Sequence, residues 1–100
     1  MYNINTEFEY DTERSKTNLR KHGISLEDAK QIWMVDHADM NTRTVPEVRK
    51  MVIGPLKGKI YSCVYTYRNN KVRIISARRS RRGEERAYYE QIEKNEKNNS

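Results

Sequence analysis

The sequence has few of the residues that cross-link or densely pack a protein. It has one cysteine, Cys63, which excludes an internal disulfide and a zinc site of the CxxC type. It also has only 18 Ile, Val, Leu and Phe residues among 100. Below about 20% of these four residues, with high net charge, disorder becomes an alternative to a fold. A folded core must therefore rely on the seven tyrosines.

Long apolar runs are absent as well. No segment approaches the roughly 18 apolar residues of a membrane-spanning helix, and the mean hydropathy is −1.10. The first ten residues lack the basic and apolar regions of a secretory signal. We therefore expect a cytoplasmic protein with no membrane partner. The length fits a single domain over residues 1–100, with frayed ends at 1–6 and 95–100.

Positive charge is concentrated in the middle of the chain. The net charge is +6, but residues 47–86 alone carry +9, whereas residues 1–46 and 87–100 are slightly acidic. A basic block of this size on a small domain attracts polyanions, nucleic acid first and an acidic protein second. A merely solvated surface is the alternative that explains most charge runs.

Periodicity and capping residues predict seven elements. Asp11 and Ser25 are good N-cap residues, and Gly23 can take the positive φ that ends a helix. The predicted elements are a strand at 8–10, helices over about 12–22 and 26–34, strands at 48–54, 59–68 and 71–78, and a helix over about 81–94. Residues 35–47 are predicted to be a loop that could contain a short edge strand. The order β-α-α-β-β-β-α predicts a single α+β domain, an antiparallel sheet with helices, although both sheet faces are partly apolar and neither is marked as the covered one.

The dipeptide Asn69-Asn70 predicts a tight hairpin, because asparagine tolerates the left-handed conformation that a type I′ turn needs twice. This turn predicts a register in which Arg68 pairs with Lys71, Thr66 with Arg73, Val64 with Ile75, Ser62 with Ala77, and Ile60 with Arg79. Alternation then places Arg78 and Arg79 on opposite faces if the strand extends that far.

The run Arg78-Arg79-Ser80-Arg81-Arg82 is the clearest chemical signal. Arg81 and Arg82 would begin the last helix, where a cation opposes the helix dipole. A bound phosphate would remove this conflict, since guanidinium groups and helix N-termini both bind phosphate oxygens. Arginines that are solvated, or that bind an acidic partner, are the alternatives.

Two residues are candidates for proton transfer. Glu47 is a lone carboxylate among basic residues, and an ion pair with Arg49 explains it equally well. His22 has the imidazole that exchanges protons near neutral pH, although a histidine before Gly23 is more often a C-terminal helix cation. A metal site has little support, because His37 and Asp39 form only a weak HxD pattern in a predicted loop. We expect no metal and no cofactor.

Several segments together resemble the BrnT family of toxins from type II toxin–antitoxin systems, which have a RelE-like fold. The matching residues are Phe8-Glu9-Tyr10-Asp11, Lys16-x-Asn18, Lys21-His22-Gly23-Ile24-Ser25, Ala29, Arg49, Ile53-Gly54, Arg73-Ile74-Ile75-Ser76-Ala77-Arg78-Arg79 and Tyr88-Tyr89-Glu90. They cover about residues 7–90. The Lys21–Ser25 and Arg73–Arg79 segments, in this order, are far more specific together than either is alone.

The resemblance implies a metal-independent endoribonuclease that arrests growth and is neutralised by a BrnA-like antitoxin, a ribbon-helix-helix protein that carries the complex to promoter DNA. It places functional positions at Glu47, Arg49, Arg78 and Arg79, and a family motif at Lys21 and His22. The expected chemistry is attack of the 2′-hydroxyl on phosphorus, leaving a 2′,3′-cyclic phosphate, with His22 or Glu47 moving the proton and arginines stabilising the phosphorane. The expected RNA-binding residues are Lys21, Arg68, Arg73, Arg81, Arg82 and Tyr88, whose ring could stack on a base.

Two other readings use the same basic block. A non-catalytic nucleic-acid-binding module would bind RNA in a salt-dependent way without cleaving it. An adaptor would use the basic face only to bind an acidic antitoxin. The sequence does not discriminate among the three.

Overall fold

The computed structural model describes residues 6–98. They form five strands, three α-helices and one 3₁₀ helix, which are, in chain order, β1 (Phe8–Tyr10), α1 (Thr12–His22), α2 (Leu26–Ala29), the 3₁₀ helix (Lys30–Met34), β2 (Ala38–Arg43), β3 (Arg49–Leu56), β4 (Lys59–Arg68), β5 (Lys71–Arg79) and α3 (Arg82–Asn98). This confirms the predicted α+β class.

The helix boundaries follow from the capping residues that the sequence predicts. The Asp11 carboxylate accepts a hydrogen bond from the Arg14 N–H at 2.9 Å, and the Ser25 hydroxyl accepts one from the Asp28 N–H at 3.0 Å. Gly23 ends α1 with a φ of 73°, a conformation that costs glycine little. The second predicted helix, 26–34, is confirmed as α2 continued by the 3₁₀ helix.

Several element boundaries differ from the prediction, and β5 extends one residue further, to Arg79. The strand predicted at 48–54 continues through Pro55 to Leu56, and the turn falls at Lys57 and Gly58, which have positive φ. The predicted loop 35–47 contains a full edge strand, β2. The last helix, predicted over about 81–94, begins at Arg82 and extends to Asn98. The fraying predicted at 1–6 and 95–100 falls partly on residues 1–5 and 99–100, which lie outside the described residues.

The strands form one sheet in the order β1-β5-β4-β3-β2, antiparallel throughout except for the parallel pair β1 and β5. The Asn69-Asn70 turn is confirmed, with φ of 54° and 64°. The predicted register holds for Arg68 with Lys71 and for Thr66 with Arg73, and then fails.

A β-bulge in β5 causes this failure. Tyr65 pairs with Ile74 and Val64 pairs with Ser76, so Ile75 is an extra residue without a partner on β4. The predicted pairs Val64 with Ile75, Ser62 with Ala77, and Ile60 with Arg79 are therefore wrong. Beyond the bulge, Ser62 pairs with Arg78 and Tyr61 pairs with Arg79. A bulge of this kind redirects the side chains that follow it.

Helices pack on both faces of the sheet, and each face has its own apolar cluster. One cluster joins α2 and the 3₁₀ helix to side chains of β3, β4 and β5. Its members include Ile24, Leu26, Trp33, Cys63, Tyr65 and Ile74. The other lies under α3 and contains Ala38, Met51, Ile53, Ile60 and Tyr88. Helix α3 packs mainly on β2 and β3, and its first turn contacts β5 through the Arg78–Glu84 pair.

Candidate nucleic-acid site

Asn18 attaches helix α1 to the outer edge of β5. The pairing of β1 with β5 ends where Tyr10 lies opposite Ile74. Further along β5, the Asn18 side chain donates to the Ala77 carbonyl at 2.8 Å and accepts from the Ala77 N–H at 3.1 Å. The buried Asn18 amide therefore does for Ala77 what a neighbouring strand would do.

An open cleft of about 420 Å³ lies between α1 and this edge of β5. The charged and titratable residues that line it on the helix side are Asp11, Glu13, Arg14, Lys21 and His22, and Ile75 and Ser76 line it on the strand side. The bulge contributes directly, because Ile75 is its extra residue. The cleft thus brings together the two most specific sequence segments, Lys21–Ser25 and Arg73–Arg79.

The backbone of Arg78 lies two residues after Ser76 of this cleft, and its side chain points towards α3. Its guanidinium donates from Nη1 to Oε1 of Glu84 and from Nη2 to Oε2, both at 2.8 Å. The Glu84 Oε1 atom also accepts from the Ser62 hydroxyl at 2.8 Å and from the Arg81 N–H at 2.9 Å. These bonds, chiefly those from Arg78, lower the pKa of Glu84 to about 2, and the Glu84 carboxylate raises the pKa of Arg78.

Arg79 lies on the other face of the sheet, as alternation requires. It is exposed, and its Cζ atom lies 5.9 Å from the centre of the Tyr61 ring, a cation–π distance. The paired arginines therefore do not act as one unit. Arg78 shares the α3 face with Ser62, and Arg79 shares the opposite face with Tyr61.

Glu47 and Arg49 form a separate cluster. Oε1 of Glu47 lies 3.3 Å from Nε of Arg49 and 4.0 Å from Nη2 of Arg43, and Oε2 lies 3.8 Å from Nη2 of Arg68. The carboxylate is therefore the centre of an ion-pair network with three arginines. Arg68 ends β4, and Ser62, the strand partner of Arg78, lies six residues earlier in that strand, about 20 Å away in an extended conformation. The structure does not bring Glu47 and Arg49 together with Arg78.

The remaining predicted residues have varied surroundings. Arg73 lies between the two groups, with Nη1 at 3.7 Å from Oε1 of Glu9. Arg81 and Arg82 are exposed at the start of α3. Tyr88 is buried at 8% exposure in the cluster under α3, so its ring contacts the core and not solvent. Its neighbour Tyr89 is 55% exposed.

Sequence reasoning missed Glu84 and Asn18 as site residues. A signal existed for Glu84, since it lies in the first turn of a helix three residues after Arg81, the spacing of a capping box. Asn18 gave no signal beyond its place in the family motif, because its partner on β5, Ala77, is 59 residues away in the chain.

Within residues 6–98, no three His, Cys, Asp or Glu side chains are grouped closely enough to hold a metal ion. No helix in this part of the chain is long and apolar enough to cross a membrane.

The fold and the site together define a small α+β protein with arginines spread over one sheet face and a cleft of polar side chains at its edge. The family model described as the ribonuclease toxin BrnT of type II toxin–antitoxin systems matches residues 10–84. The chain belongs to this family of ribonuclease toxins, and a toxin of a type II system has a cognate antitoxin.

The solved structures support the fold. The chain is similar to the crystal structure of the Brucella abortus ribonuclease toxin BrnT, with a TM-score of 0.64 and 22% identity, over 77% of this chain and 99% of that chain. No curated protein matches. The predicted family and fold are therefore confirmed.

Proposed function

We propose that this toxin cleaves RNA without a metal ion, by attack of a 2′-hydroxyl on the adjacent phosphorus, and that the cleft between α1 and β5 is the reaction site. The observation that supports this most is that Lys21, His22 and Ser76 line the same cleft. Ser76 is two residues before Arg78 in β5. A base, fixed cations and a polar side chain are the groups that this reaction needs.

Within this site, His22 accepts the proton of the 2′-hydroxyl. The bond from the 2′-oxygen to phosphorus forms, and the bond from phosphorus to the 5′-oxygen breaks as that oxygen takes up a proton from solvent water in the open cleft. The product is a 2′,3′-cyclic phosphate. Exposure of His22 on the cleft wall allows the imidazole to reach a bound nucleotide.

Fixed positive charges stabilise the phosphorane in this proposal. Arg78 is the main contributor, because a guanidinium keeps its charge and can bind two phosphate oxygens. Lys21 adds a point charge from the helix side of the cleft. Arg79, on the opposite face, assists only where the RNA passes round the end of β5.

Glu47 has a different role in this proposal. Three arginines lie within 4.0 Å of its carboxylate, so both carboxylate oxygens face guanidinium groups. The Glu47 network therefore positions Arg49 and Arg68 to bind phosphates further along the RNA. Arg73 binds between the two groups, and Arg81 and Arg82 add charge near Arg78.

The partner expected for this toxin is a BrnA-like antitoxin with a ribbon-helix-helix segment, through which the complex reaches promoter DNA. The excess of nine positive charges in residues 47–86 favours an acidic antitoxin segment, because complementary charge speeds association and excludes wrong partners. Binding to the arginines of the α3 face would block RNA.

The test is to incubate the purified chain with end-labelled RNA in EDTA, beside the double variant R78A/R79A. Fragments that end in 2′,3′-cyclic phosphate, and that the variant does not produce, are the expected result. RNA that stays intact but is bound in a salt-sensitive way would contradict the proposal and favour a binding module. RNA neither cut nor bound would favour an adaptor for the antitoxin.

A further inference from the structure

Glu84 is not a predicted site residue, yet its carboxylate is among the most bonded groups of the α3 face. It accepts four hydrogen bonds, two from the Arg78 guanidinium, one from the Ser62 hydroxyl and one from the Arg81 N–H. Both partners of the ion pair are shielded, with side chains 16% exposed for Glu84 and 25% exposed for Arg78.

We propose that Glu84 is a positioning residue, which holds the Arg78 guanidinium in the orientation that binds the scissile phosphate. This inference rests on the proposed function, because it assigns to Glu84 a role in the same reaction. It makes the start of α3 part of the machinery, although no atom of Glu84 needs to touch RNA.

The bonding pattern of Arg78 supports this role. A guanidinium has five N–H groups. Glu84 takes one from Nη1 and one from Nη2, and the Arg79 carbonyl takes a second from Nη1 at 3.2 Å. The Nε–H and the other Nη2–H of Arg78 have no partner within residues 6–98. These two groups form the side edge of the guanidinium, which matches two phosphate oxygens.

The β-bulge supplies the second part of the arrangement. Because Ile75 is the extra residue, Arg78 lies opposite Ser62 on the α3 face, where α3 begins. Ser62 in turn is within 2.7 Å of the Ser80 hydroxyl. The strand, the bulge and the first turn of α3 thus fix both ends of the Arg78–Glu84 pair.

A helix-capping role alone does not explain this geometry. A capping box needs one acceptor oxygen for the N-cap N–H, and glutamine supplies it as well as glutamate does. Two parallel bonds to one guanidinium fix its orientation in addition to stabilising the fold. The two roles therefore separate in Glu84→Gln, which keeps a capping oxygen and loses the charged fork.

The experiment measures kcat and KM for end-labelled RNA with the wild-type chain, E84Q, E84D, R78A and R78A/E84Q, each shown by circular dichroism to be folded at the assay temperature. E85Q, which alters the adjacent carboxylate, is the matched control. We expect kcat of E84Q to fall about 10- to 100-fold, as misplacement of a catalytic group does, with little change in KM. We expect E84D to recover part of the activity and E85Q to match the wild type.

The double variant decides between positioning and an independent role. If Glu84 acts through Arg78, then adding E84Q to R78A changes kcat by less than about twofold, since residues that act as a unit are not additive. Equal losses from E84Q in both backgrounds would overturn the inference, and so would an unchanged kcat of E84Q in a wild-type enzyme that cleaves. RNA left intact by the wild-type chain would overturn the proposed function as well.

Discussion

At the scale of single residues, the Arg78–Glu84 pair links stability to pH. The folded pKa of Glu84 is about 2, below the ordinary value near 4.5. A group whose pKa is lowered by folding stabilises the fold above its unfolded pKa, and that contribution is lost as pH falls through the folded pKa. For this largely shielded carboxylate it is roughly 2–3 kcal/mol at neutral pH.

We therefore expect the free energy of unfolding of the wild-type chain to fall between about pH 5 and pH 2, and that of E84Q to start lower and to fall less. Urea unfolding at pH 7, 5 and 3 measures both. E85Q is the control and should show the wild-type slope. Parallel curves for the wild type and E84Q would contradict the assigned pKa.

Residue chemistry was partly predictable. Strand alternation predicts that Arg78 and Arg79 lie on opposite faces of the sheet. The pairing of Arg78 with Glu84 does not, because it depends on where α3 begins and on the bulge at Ile75. The burial of Tyr88 also depends on where α3 lies. Because its ring packs in the cluster under α3, it is not placed to stack on a base as the sequence predicted.

At the scale of elements, the joint between α1 and β5 is the most consequential contact. The Asn18 amide bonds the N–H and the carbonyl of Ala77 and the carbonyl of Ile24. The side chain is 6% exposed, so its removal leaves buried polar groups without partners. Each such group costs about 1–3 kcal/mol.

We expect Asn18→Ala to lower the free energy of unfolding by about 2–4 kcal/mol, the range for loss of a buried hydrogen-bond network. The matched control is Leu19→Ala, which alters the next residue, 51% exposed, and should change stability by less than about 1 kcal/mol. Equilibrium unfolding in urea compares the two. A small effect of Asn18→Ala would mean that α1 is held to β5 by other contacts.

Local signals predicted most of the elements. Asp11, Gly23 and Ser25 mark helix ends through their own side chains or backbone conformation, and Asn69-Asn70 marks a turn in the same way. The register of β4 and β5 beyond Tyr65 was not predictable. Ile74 and Ile75 are both apolar, and both faces of β4 carry apolar residues, so a one-residue shift leaves the hydrophobic pattern almost unchanged.

At the scale of the whole molecule, charge determines how the toxin meets its substrate. The α3 face of the sheet carries four arginines whose side chains are partly exposed, Arg49, Arg68, Arg73 and Arg78. Neutralising RNA phosphates with such residues releases counterions, so binding weakens as salt rises, with a slope of about −0.7 per phosphate contacted on a single strand.

We expect Arg68→Ala and Arg73→Ala each to make the slope of log affinity against log salt less negative by about 0.7. The loss of affinity should be similar for unrelated RNA sequences. Fluorescence anisotropy of a labelled RNA between 50 and 200 mM salt measures this. Lys94→Ala, which alters an exposed residue on the C-terminal half of α3, should leave the slope unchanged. Equal slopes for all variants would place the RNA elsewhere on the molecule.

The basic block, the α+β class and the family were accessible from the sequence. The meeting of Lys21 and His22 with Ser76 was not, because no local pattern shows which helix lies beside the free edge of β5. The separation of Glu47 from Arg78 was not predictable either, because the family resemblance names both residues as functional positions without saying how far apart they lie.

In the proposed mechanism the chemistry occurs in the cleft of His22 and not at the carboxylate of Glu47. The direct measurement is the single-turnover rate of RNA cleavage in EDTA for H22A and E47A beside the wild type. We predict a loss of about 100-fold or more for H22A, the scale of general-base catalysis. For E47A we predict a loss of less than about tenfold, because it disturbs only phosphate binding. A large loss for E47A with a near-normal rate for H22A would contradict the account and move the reaction to the arginine cluster around Glu47.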